Sequence, residues 1–225
     1  MIRTKSNRTK AWVRACNLAL LCALLSSCAH PLTVSGRIPT PLIEPLPVSV
    51  GFIRPVEFSS HIHREKLPRG GGDWTIELGA LQNAFFETLF DALFLGVQPM
   101  EIAGCGAGDE GRGVVASCPD GFVRLSLLEY AFLPPELSGL QFFSASTKYQ
   151  VELLDAGGMV LDTWVVVGYG KNEGGGFQST EALNAATVEA IRDAGARVAL
   201  EWPKQGNVRT WLDLIGVKND PKPIM

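Results

Sequence analysis

The sequence predicts an α/β (α+β) fold: a two-layer sandwich with a mostly antiparallel sheet and two long helices on one face. Three observations predict it. Leu81, Phe85, Leu89 and Leu93 recur every four residues, the spacing of one helix face. Residues 122–169 hold three stretches of strand-like alternation, two of them joined by Asp155-Ala156-Gly157-Gly158. Leu183, Ala186, Ala190, Ile191, Ala194 and Val198 then form a second apolar stripe at helical spacing.

In chain order, the domain begins near Leu46, where Val48, Val50 and Phe52 alternate with Ser49 and Gly51 as a strand does. His61 to Lys66 lead into a loop, Pro68-Arg69-Gly70-Gly71-Gly72, and Trp74 and Ile76 mark a short extended stretch. A helix is expected over Leu78–Leu95, with Asn83, Glu87 and Asp91 on its polar face and Gly96 as its stop. A short strand follows over Val97–Ile102. Strands over Phe122–Phe132, Thr147–Leu154 and Met159–Tyr169 form a meander, the first ended by Pro134-Pro135, since proline cannot donate to a ladder. Ser179 or Thr180 caps the second long helix, with Glu181 in its first turn. Its many alanines permit close approach to the sheet. Trp202-Pro203 closes it, and Val208–Ile215 is a last short helix docked through Trp211 and Leu212.

The amino terminus has another character. Arg3, Lys5, Arg8, Lys10 and Arg14 carry no acidic neighbour, and an apolar run, Ala15 to Leu25, follows, broken only by Asn17. As a helix that run rises about 16 Å, too short for a hydrocarbon core of about 30 Å, so it reads as a cleaved signal rather than an anchor. Leu25-Ser26-Ser27-Cys28 resembles the bacterial lipobox position by position. The resemblance implies cleavage before Cys28, diacylglycerol on its thiol and acylation of the new amino group. Several acyl chains, at about 0.8 kcal/mol per buried CH2, give durable membrane attachment. Ala29, where an Asp would favour inner-membrane retention in Gram-negative lipoproteins, implies a palmitoylated protein of the outer membrane that faces the periplasm. The organisation is thus 1–27 signal peptide, 28–45 a tether with Pro31, Pro39, Pro41 and Pro45, and 46–225 a single domain.

The mature part keeps all 23 acidic residues but only 15 of the 20 basic ones, a formal charge of −8 against −3 for the whole chain. That balance disfavours nucleic acid and any charge-driven attraction to anionic lipid. Once the signal is gone and Cys28 is acylated, Cys105 and Cys118 remain, an even pair around a glycine-rich loop in an oxidising compartment. A disulfide closing that loop contributes about 3 kcal/mol. A metal site or two free thiols are the rival readings.

Candidate chemistry is sparse. His61, His63 and Glu65 fall on one face of a strand and offer two imidazoles and a carboxylate to a metal, one ligand short of a closed tetrahedral site; the bland reading is a polar edge strand. Gly168-Tyr169-Gly170-Lys171-Asn172-Glu173-Gly174 misses the dinucleotide spacing by one residue and reads as a flexible loop. There is no nucleophile elbow. Glu129, Glu136, Asp155 and Asp162 show no pair-selecting spacing, and Trp164, Trp202 and Trp211 read as core anchors. No cofactor is implied.

The carboxyl half, from Trp164–Tyr169 to the helix containing Ala190-Ile191-Arg192-Asp193-Ala194, is similar to uncharacterised accessory lipoproteins near the curli-secretion and TolB amino-terminal type. The resemblance implies a non-enzymatic assembly or interaction module in envelope transport or surface-structure biogenesis, held to the membrane by acyl chains and engaging an envelope protein partner. Two alternatives stay open. One is a lipid- or small-molecule-binding lipoprotein using a gap between the aromatic helix and the sheet. The other is a metal-dependent envelope enzyme using His61 and His63.

Overall fold

The computed structural model describes residues 29–68, 71–100, 118–173 and 179–217. The main sheet has five strands: β2 (Leu46–Ile53), β5 (Phe94–Met100), β6 (Gly121–Leu133), β7 (Phe142–Asp155) and β8 (Val160–Glu173), in the spatial order β5-β2-β6-β7-β8. The expected meander is β6-β7-β8, with antiparallel pairing throughout. The sheet as a whole is mixed: β2 pairs in parallel with both β5 and β6. Alternation cannot reveal strand direction, and the parallel return needs a long crossover between β2 and β5. That crossover carries α1 (Val56–Ser59), β3 (Ile62–Lys66), β4 (Asp73–Glu77) and α2 (Gly79–Leu93).

A second, three-stranded sheet was not expected. β1 (Ala29–Thr33) pairs in parallel with β4, and β4 pairs antiparallel with β3. The proline-rich segment is therefore no free tether. Leu32 and Val34 are buried, and Asn184 exchanges two hydrogen bonds with the backbone of Ser35, each 2.9 Å. Arg192 donates to the carbonyl of Arg37. The prolines forbid a long ladder, yet Ala29–Thr33 needs only one strand edge and finds it on β4. The described fold begins at Ala29, not Leu46.

The long helices are α2 and α4 (Ser179–Glu201); α3 (Pro135–Ser138) is a single turn, and α5 (Gly206–Leu214) follows a 3-10 turn, Trp202–Lys204. Both long helices pack on one face of the main sheet. From α2, Phe86, Phe90 and Leu89 are buried against Phe52, Tyr149 and Val151, at about 1.5–3 kcal/mol for each large apolar side chain taken out of water. Gln82, on the same helix and fully buried, donates to the carbonyl of Phe58 and accepts from the Tyr149 hydroxyl at 3.1 Å, so its amide is satisfied.

Where α4 crosses β8, the loop reading is overturned for residues 168–173, and Gly174 lies outside the described residues. Residues 168–173 belong to β8. A Cβ on Gly168 would stand 2.0 Å from the carbonyl oxygen of Ala190, and one on Gly170 2.1 Å from that of Ala186. The glycines let the helix backbone lie directly on the strand, and the alanine stripe of α4 supplies the matching small surface. Trp164, Trp202 and Trp211 are core residues, as expected, with Trp164 and Trp202 edge to face at 5.1 Å.

Candidate functional site

His61 precedes β3 and caps α2 through its backbone: its carbonyl accepts the N–H groups of Leu78 (3.0 Å) and Gly79 (3.1 Å). Its Nε2 is buried and finds no partner among the described residues. Burial, and next the charge of His63, push the imidazole pKa below its ordinary value. His63 and Glu65 share the inner face of β3 and pair at 3.1 Å, and the His63 ring packs edge-on against Tyr130 at 5.0 Å. His30 stacks on Trp74 at 4.5 Å. Among the described residues, no three His, Cys, Asp or Glu side chains are grouped to hold a metal. The expected alternation thus brings His63 and Glu65 together and leaves His61 before the strand.

The other carboxylates singled out have local tasks. Asp155 accepts the N–H groups of Gly157 and Met159 at 2.9 and 2.8 Å, fixing the β7-β8 turn, and Asp162 accepts that of Thr163 at 2.9 Å. Glu136 lies in the first turn of α3. Cys28, the expected acylation site, and Cys105, one half of the expected Cys105–Cys118 disulfide, lie outside the described residues.

Two surfaces stand out instead. The first is the face of the main sheet turned away from the long helices. Its centre, on β7, is polar: Ser144, Ser146, Lys148, Gln150 and Glu152, with Arg124 of β6 paired to Glu152 at 3.0 Å. The last strand breaks that pattern. Val165, Val167 and Tyr169 stand 44, 48 and 50% exposed, in register with Gln150, Lys148 and Ser146. An antiparallel sheet with one solvated face is ordinarily polar outside, and the apolar ribbon along its border departs from that pattern. The backbone edge beside the ribbon is guarded. Asp193 and Glu189 of α4 accept the N–H groups of Tyr169 and Lys171 at 3.0 and 2.8 Å, which blunts the strand as a template for another chain. Trp164-Val165-Val166-Val167 is a continuous apolar run, so alternation does not single out the ribbon in the sequence; its exposure depends on which face the helices cover.

The second is an apolar groove of about 330 Å³ on the outer side of the helix layer. Phe85 and Leu89 of α2 and Ala196, Ala199 and Leu200 of α4 form its walls, and Pro39, Pro41 and Ile43 its rim. The gap expected between the aromatic helix and the sheet is filled by Phe86 and Phe90, both fully buried; the space lies at the flank of that helix that faces α4. At the end of β2, a smaller polar recess is closed by Arg54, which donates to Glu87 and Asn83.

No family model matches the sequence. No curated protein matches it in sequence. Similarity appears in the fold. The chain shares its fold with protein XCC0632 from Xanthomonas campestris, of the DUF330 family: TM-score 0.50, 10% identity, 76% of this chain and 92% of that one. At that identity the likeness concerns architecture alone. A candidate lipoprotein from Caulobacter crescentus CB15 (TM-score 0.32, 18% identity, 44% of this chain and 72% of that one) and the hypothetical protein CT253 from Chlamydia trachomatis (TM-score 0.35, 13% identity, 68% and 96%) are more distant and carry no argument. No helix among the described residues is long and apolar enough to cross a membrane.

Proposed function

We propose that this chain is a lipid-anchored cell-envelope protein whose domain is a non-enzymatic interaction module, serving envelope transport or surface-structure biogenesis. The lipobox at Leu25–Cys28 supports the anchor, and Ala29 supports the outer membrane with the domain facing the periplasm. The observation that carries the interaction reading is the exposed ribbon Val165-Val167-Tyr169 on β8, beside the polar centre of that sheet face on β7. Exposed β-branched and aromatic side chains in a row lose little conformational freedom when covered, which suits a protein partner. The Cys105–Cys118 disulfide belongs to the same proposal. It predicts an intact mass two hydrogens short without reductant, and quantitative alkylation of both thiols would exclude it.

Cys28→Ser tests the anchor. It should abolish acylation and release the chain from membranes washed with alkali; a variant that stays with the membrane contradicts the proposal. Crosslinking in living cells followed by pull-down of the wild-type lipoprotein tests the module, with a reproducible envelope partner as the expected result.

One observation favours a second reading, a lipid- or small-molecule-binding lipoprotein. The groove between α2 and α4 is walled almost wholly by apolar side chains and is large enough for part of an acyl chain or a small apolar ligand. Native mass spectrometry of the domain without its lipid distinguishes the two: a stoichiometric lipid adduct lost in Ala196→Trp favours the groove, and its absence leaves the ribbon as the working surface.

A further inference from the structure

The segment that follows the anchor belongs to the fold, and this fixes how the domain meets the membrane. Cys28 is bonded directly to Ala29, the first residue of β1. Ala29 pairs with Asp73, and Asp73 pairs with Lys66, so these three residues share one end of the small sheet. Nothing beyond one peptide link, about 3.8 Å between Cα atoms, separates that end from the acylated residue. Nor can β1 swing away. Five register pairs bind it to β4, the Thr33 hydroxyl donates to Glu77 at 2.9 Å, and the contacts of Ser35 and Arg37 pin the continuation to α4.

A second feature lies at the same end. Trp74, stacked on His30, packs against Phe132 at 5.4 Å and Phe143 at 6.5 Å, at the close of β6 and the opening of β7. Two leucines are exposed at this end, Leu133 at 41% as the last residue of β6 and Leu140 at 50% in the turn that follows. Exposed leucines at this end, close to the residue expected to be acylated, are suited to the boundary between headgroups and acyl chains, where apolar side chains are buried and the backbone stays solvated. The acidic mature chain has no general attraction to anionic lipid, so this contact depends on the anchor and the leucines.

We propose that the end of the domain bearing Ala29 and the turn Pro134–Gln141 rests on the lipid surface, with Leu140 in the headgroup layer. The inference rests on the lipid-anchor reading above. The hairpin Asp155–Met159 then points away from the membrane, since the rises along β7 separate the two turns by roughly 43 Å.

The test uses the acylated mature chain in vesicles of phosphatidylethanolamine and phosphatidylglycerol, with a photo-crosslinking amino acid in place of Leu140 or of Met159. Both side chains are exposed, so neither replacement disturbs the core. Lipid adducts at Leu140 should exceed those at Met159 by about tenfold. Equal yields, or the reverse order, from an acylated and membrane-bound chain overturn this orientation and leave the anchor standing. A chain that carries no acyl group and does not bind the vesicles overturns the anchor reading and the orientation with it.

Discussion

The carboxylate of Asp193 accepts the backbone N–H of Tyr169 at 3.0 Å, joining the solvent edge of the last strand to the helix that covers it. Glu189 does the same for Lys171 one turn earlier on the helix. Edge strands invite pairing with other chains, and here side chains occupy the donors that a new strand would use. The double variant Asp193→Ala/Glu189→Ala should stay folded, lose about 1 kcal/mol per partly exposed bond, and gain a concentration-dependent dimer in sedimentation velocity. A variant that remains monomeric at every concentration shows that the edge needs no guard.

The close crossing of α4 over β8 predicts a larger effect. Gly168→Ala places a methyl group 2.0 Å from the Ala190 carbonyl, against backbone that cannot rotate aside. The helix must lift, at a cost of about 3 kcal/mol or more, read as a lower urea midpoint. Gly206→Ala is the control, because a Cβ there meets nothing within 4 Å. Equal midpoints for the two variants would remove the packing account of these glycines.

Much of this architecture is legible in the sequence, and what is not has physical causes. The period of four from Leu81 to Leu93 yields α2, and the alternation over 122–169 yields the meander, because each pattern is local. Gly168 and Gly170 read as a loop for the opposite reason: the atoms that require glycine belong to Ala190 and Ala186, on another element. Pro31 to Pro45 read as a tether since no period is present, while the partners that hold the segment, Glu77, Asn184 and Arg192, lie 44 to 155 residues along the chain. The ribbon is not legible in the continuous apolar run Trp164 to Val167, because Val167 becomes exposed only once Val166 has turned to the helices.

His61 gives a pH dependence. Its pKa is lowered in the fold, so below about pH 6.5 the unfolded chain takes up a proton that the native chain resists. The unfolded state then binds more protons, and stability falls as pH drops through that range. The decrease in Tm between about pH 7.5 and about pH 5.5 should be smaller in His61→Gln than in the wild type, as both share every other titrating group. An identical decrease would mean that the buried imidazole does not contribute.

The proposed meeting place of domain and partner is the open sheet face at Val165, Val167 and Tyr169. The most direct measurement places a photo-crosslinking amino acid at Val167 in the full lipoprotein in living cells, with Leu214, an exposed residue on α5, as the comparison site. One discrete protein adduct is expected at Val167, absent at Leu214 and lost when Val165 is changed to Lys. No protein adduct at Val167, or the same adducts at both sites, from a chain that is acylated and folded would contradict it.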